Sequence, residues 1–112
     1  MTTPHSKSVL VAKEFNSQTE FVRAALKIKF PGHGFGGLDS DPNIYTATIE
    51  IPQKDMHRYL TAIEDNGVWR VVDDFVGPIP FGGTTVQVEG RELIYRDYKG
   101  AEFRRMELKK PE

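Results

Sequence analysis

No cysteine occurs in this chain, which excludes disulfides, zinc ribbons, iron–sulfur sites and thiol catalysis together and makes a reducing compartment, the cytoplasm, the default expectation. Long apolar runs are missing too. Nothing approaches the roughly 20 residues a membrane helix needs, and Met1 to Ser8 lacks the apolar stretch of a signal peptide. The mature chain is therefore expected to begin at Met1 and to have no membrane partner. A basic excess is also absent: the net charge is −1, spread as +3 over residues 1–38, −5 over 39–74 and +1 over 75–112. That balance disfavours a nucleic acid held by its phosphates.

The motifs of common chemistries are lacking or out of context. No serine sits in G-x-S-x-G and no G-K-[ST] occurs. His5, His33 and His57 are scattered without an H-x-x-x-H pair, so no metal is expected. Gly32-His-Gly-Phe-Gly-Gly37 fits G-x-G-x-x-G, but Asp39-Ser-Asp-Pro-Asn43 breaks the chain where a dinucleotide site needs a helix. Asp39, Asp41, Asn43 and Glu50 have the spacing of a calcium loop, yet Ile44 stands at its glycine position, and the stretch reads as a turn. Asp73-Asp74 falls on opposite faces of a strand and reads as a solvated pair or a bulge. No cofactor is implied, and the chain is not expected to be an enzyme.

What is present is patterned for one α+β domain of 112 residues. Ile44 to Ile51 alternates as a strand does. Met56, Tyr59, Leu60 and Ile63 then recur at three- and four-residue steps, predicting a helix over 52–66 that Pro52 opens and Asn66-Gly67 stops. Val68 to Val76 returns to a strand, parallel to the first and reached by a right-handed crossover if the two are neighbours. Upstream, Met1 to Lys7 reads as a loose terminus and Ser8 to Phe15 as a strand. Ser17-Gln-Thr-Glu20 is a capping box, opening a helix that buries Phe21, Ala25 and Ile28. Lys27 to Phe30 fits either the last helical turn or an extended segment. Residues 31–43 and 77–83 read as glycine-rich loops, and each contains Phe-Gly-Gly.

From Thr84 the pattern is a three-stranded meander with turns at Glu89-Gly90 and Lys99-Gly100. Short turns place Val86 opposite Leu93, Leu93 opposite Met106, and Arg96 opposite Phe103. One face, with Val86, Val88, Leu93, Tyr95, Met106 and Leu108, is expected to be core. The predicted fold is thus two helices packed on a mainly antiparallel sheet of five or six strands that ends in this meander.

The other meander face carries the functional expectation. Ile94, Arg96, Tyr98, Phe103 and Arg105 have the aromatic-plus-arginine composition of interface hot spots, which points to a small binding protein acting by stoichiometric contact with another protein, as an inhibitor, immunity-type or accessory factor. Its oligomeric state, a homodimer included, stays open. Two alternatives follow from the same residues: a nucleic-acid module stacking bases on that face, and a small-ligand protein or enzyme with a pocket under the glycine loops, lined by His33, Phe35 and Phe81.

Overall fold

The structure, a computed structural model, describes residues 10–108. Helix α1 (Gln18–Leu26) starts at the capping box: the Glu20 N–H donates to Ser17 Oγ at 3.1 Å, and the Glu20 carboxylate accepts from the Asn16 N–H at 3.2 Å. Phe21 and Ala25 are buried, as their spacing predicts, and Ile28 packs beside them. Lys27 to Phe30 is neither helix nor strand but an irregular exit. The strand expected before the helix shrinks to β1 (Glu14–Phe15), because the chain turns at Ala12 with φ 74. The rest of that expectation, at Ser8 and Val9, and the terminus Met1–Lys7 lie outside the described residues.

The expected helix over 52–66 is a strand. β2 (Phe35–Asp41), β3 (Ile44–Glu50), β4 (Met56–Asp65) and β5 (Val68–Pro78) form consecutive antiparallel hairpins, and with β1 they make a sheet in the order β1-β5-β4-β3-β2. The parallel crossover is replaced by direct pairing of β3 with β4 and β4 with β5. Asn66-Gly67 is the two-residue turn of the third hairpin, between β4 and β5, with φ of 53 and 82 at the two residues, the left-handed pair that a type I′ turn requires. Helical spacing misled because β4 is covered on both sides: Leu60 and Ala62 face α1, Tyr59 and Ile63 face the meander, and residues 59–62 are buried without a break. A strand buried on both faces loses its alternation.

The first Phe-Gly-Gly is likewise a strand rather than a loop. Gly37 lies under the Tyr45 ring, so close that a Cβ there would sit 1.8 Å from the tyrosine oxygen. The second Phe-Gly-Gly forms a turn after β5. The two copies therefore have unrelated roles.

β6 (Thr85–Glu89), β7 (Glu92–Arg96) and β8 (Glu102–Glu107) form a separate three-stranded sheet in that order. Leu93 opposes Met106 as predicted, but the first turn is centred one residue later, on Gly90-Arg91, so Val86 opposes Tyr95 and Val88 opposes Leu93. In the second hairpin Tyr95 opposes Arg104 and Arg96 opposes Glu102, leaving Phe103 as the extra residue of a bulge.

Among the described residues, mainly antiparallel sheets with one helix, not the two expected, thus make the α+β fold. The five-stranded sheet has α1 on one face and the small sheet on the other, with an apolar cluster in each gap. Ser40 closes one side of the sandwich: its hydroxyl donates to Val86 O and accepts from Val86 N–H, both at 3.0 Å, linking the outer edge of β2 to β6. The opposite side, between β5 and β8, is crossed by the Arg104–Asp73 ion pair.

Candidate interaction site at the open side of the sandwich

A second bulge governs the open side. Thr61 opposes Asp73 while Ala62 opposes Val71, so Val72 is extra and Asp73 turns away from the α1 face into the gap between the sheets. Asp73 is 4% exposed there. Arg104 on β8 grips it with two hydrogen bonds, Nε to Oδ2 at 2.8 Å and Nη2 to Oδ1 at 2.7 Å. The Tyr95 hydroxyl donates to the same carboxylate at 2.8 Å and lies 2.6 Å from the Thr61 hydroxyl, which lies 2.8 Å from that of Thr46. This chain crosses from one sheet to the other with every member partnered, as buried polar groups require. Asp74 points to the other face and takes a two-pronged grip from Arg58, at 2.9 and 2.6 Å. The acid pair is therefore a bulge, as one of its readings expected, but neither carboxylate is solvated.

Around this chain the rings of Tyr59, Phe75, Tyr95 and Phe103 pack together, with Tyr59 stacked on Phe75 at 4.7 Å. The Arg104 guanidinium lies 4.2 Å from the centre of the Phe75 ring. Hydrogen bonding to Asp73 holds Arg104 firmly charged against the opposing effect of burial. Burial raises the Tyr59 phenol to about 12 and, with the Asp73 charge as second cause, raises that of Tyr95 further. Since both phenols ionise more readily unfolded, both contributions are complete below about pH 10; that of Tyr59 is lost as pH climbs through about 12, and that of Tyr95 persists further. Base titration followed by circular dichroism should show unfolding that starts above about pH 10, and Tyr59→Phe should flatten the first part of that fall. An unchanged profile would show that Tyr59 is not the group responsible.

A cleft of about 500 Å³ opens along this side between the end of β5 and the start of β8, with Phe75, Val76 and Pro78 on one wall and Phe103, Arg104 and Arg105 on the other. Three residues past Pro78 stands Phe81, 58% exposed, and its ring meets that of Tyr98, 54% exposed, edge to face at 5.9 Å. Lys99 Nζ lies 5.5 Å from the Tyr98 ring. A second cleft of about 390 Å³ lies at the far end of β5, with Ile63, Val72 and Leu108 in its wall beside the Arg70–Glu14 ion pair.

The residues singled out from sequence are distributed unevenly over these features. Phe103 and Arg105 line the 500 Å³ cleft, and Tyr98 belongs to the exposed aromatic pair. Ile94 is only 1% exposed, sealed in the sheet between Gln87 and Arg105. Arg96 is held by Glu89 at 2.9 Å. The outer meander face is thus an ionic lattice, with Arg105 also bound by Glu92 and Glu102, rather than an aromatic surface. Phe103, expected on that face, is turned inward by its bulge. Val88, expected in the core, is exposed because it lies at the hairpin end.

The loop candidates do not converge: His33 meets Phe30 and Glu50, Phe35 packs toward α1, and Phe81 meets Tyr98. The hairpin of β2 and β3 also carries Glu50 to the opposite end from the Asp41–Ile44 turn, which ends the calcium-loop spacing. Sequence reading passed over Arg104 and Phe75, and gave Tyr95, which is buried as expected, a place in the core alone. The one available signal was the Asp73-Asp74 pair inside a β-rich run, which demands two cationic partners.

Comparison of the chain with family models, with curated proteins and with solved structures found no match.

Proposed function

We propose that this chain acts by stoichiometric contact with another protein, as an inhibitor, immunity-type or accessory factor, through the exposed Phe81–Tyr98 pair. The observation that carries the reading is that pair. Two large rings stand more than half exposed against one another, with the Lys99 ammonium beside them. Residues of this kind, rigid and rich in contact area, dominate binding energy at protein interfaces. Nucleic-acid binding is weaker as a reading, because Arg96, Arg104 and Arg105 are each already neutralised by a carboxylate. A pocket under the glycine loops loses its support with the separation of His33, Phe35 and Phe81. The cytoplasm remains the proposed location, on the absence of cysteine.

The test is a photo-crosslinking residue at position 81 in the native host, followed by binding measurements with the captured protein. Phe81→Ala and Tyr98→Ala are each expected to weaken that binding by about 2 kcal/mol or more while changing stability by less than about 0.5 kcal/mol. Wild-type affinity in both variants would remove this end of the molecule from the interface.

A further inference from the structure

The Phe81–Tyr98 pair stands on two turns, each tied from within and each packed against the other. Between β5 and β6 the chain folds back at residues 81–84, where the Phe81 carbonyl accepts both the Thr84 N–H at 3.1 Å and the Thr84 hydroxyl at 2.7 Å. Thr84 is buried, so little water competes for that hydroxyl. Between β7 and β8, Asp97 closes the second turn. Its Oδ1 accepts from the N–H groups of Lys99 and Ala101, both at 2.9 Å, its own N–H donates to Ala101 O at 2.8 Å, and its carbonyl accepts from the Gly100 N–H at 2.9 Å. The two turns meet at Gly83. Its φ is 97, and a Cβ there would lie 3.3 Å from Tyr98 Cβ and 3.4 Å from Tyr98 Cα, so this approach requires glycine.

We infer that Thr84, Gly83 and Asp97 are positioning residues of the protein-binding surface, fixing Phe81 and Tyr98 in one edge-to-face arrangement before a partner arrives. Exposed aromatic side chains ordinarily sample several rotamers, and ordering them on contact opposes binding. Here the ordering is completed on folding. Each ring is carried by a turn whose backbone is already hydrogen-bonded, and the rings pack on one another with their planes 79° apart. The three residues act through the rings rather than by contact of their own: Thr84 is buried, Gly83 has no side chain, and Asp97 Oδ1 is engaged by the amides of its own turn. This rests on the protein-binding reading above and adds how that surface gains affinity, by presenting its two large rings ready-formed.

The first readout uses the free, full-length protein with labelled tyrosine. The Phe81 ring displaces the Tyr98 ring resonances in nuclear magnetic resonance spectra, and Phe81→Ala supplies the undisplaced reference. Thr84→Val and Gly83→Ala are expected to remove about half or more of that displacement. Thr84→Ser, which keeps the hydroxyl, and Asp97→Asn, which keeps the acceptor, are expected to retain it. The second readout is affinity for the partner captured through position 81. Thr84→Val should weaken binding about fivefold or more in the otherwise wild-type chain and by less than about twofold in a Phe81→Ala background, because a positioning residue acts only through the ring it places. A residue that merely supports the fold would lower Tm and leave the affinity of the folded protein unchanged. Full displacement in both Thr84→Val and Gly83→Ala, or an equal loss of affinity with and without the Phe81 ring, overturns the inference while the protein-binding reading stands. If Phe81→Ala and Tyr98→Ala both keep wild-type affinity, that reading falls and the inference with it.

Discussion

Asp73→Ala is expected to destabilise the protein by about 3–5 kcal/mol, lowering Tm by on the order of 10–20 °C. The substitution removes no large apolar group. What it leaves behind is the cost: the Arg104 guanidinium loses both of its carboxylate hydrogen bonds, and the buried Tyr95 hydroxyl loses its acceptor. The charge remains against the Phe75 ring, without its carboxylate partner. Removing the charge as well should recover much of the loss, so Asp73→Ala combined with Arg104→Met is expected to be more stable than Asp73→Ala alone. Denaturant melts of the two variants decide the matter. A loss below about 1 kcal/mol in the single variant would mean that water reaches Arg104 and that the ion pair does not hold the sheets together.

The same residues explain what could be read from the sequence. The capping box, the buried residues of α1 and the three strands of the meander were legible because each is a local signal: a hydroxyl and a carboxylate three apart, a 3.6-residue period, a glycine between alternating runs. β4 was not, because its two neighbours in the fold, α1 and the small sheet, bury both faces, and Met56, Tyr59, Leu60 and Ile63 then match a helix as well as a strand. Asn66-Gly67 serves equally as a helix stop and as a type I′ turn, so the punctuation did not arbitrate.

The site was obscured by two bulges. Each adds one residue and transfers every side chain beyond it to the other face. Val72 thereby turns Asp73 toward Arg104, and Phe103 leaves the outer face for the ring cluster. A bulge depends on which strand lies opposite, and that is long-range information. Phe81 and Tyr98, by contrast, are both candidates from sequence, one in a glycine-rich loop and one on the meander; only the fold shows that they touch.

Leu60→Ala carries the second large effect, and it does not depend on whether the segment is read as helix or strand, since both bury the residue. It is fully buried in the cluster beneath α1, with Ala47 opposite it on β3. The expected loss is about 3–5 kcal/mol, toward the upper part of the usual range for leucine truncation. The reason is the company it keeps. Ala25, Ala47 and Ala62 in the same cluster have no side-chain length with which to fill the hole, and their backbones are fixed by helix and sheet hydrogen bonding. A cavity that cannot collapse retains its full cost. Leu60→Met should instead cost less than about 1.5 kcal/mol, because a flexible chain of similar volume can occupy the same space. Urea melts of both variants give the comparison directly. If Leu60→Ala proves as mild as Leu60→Met, α1 must settle onto the sheet to close the gap, and the layer it forms is looser than its burial implies.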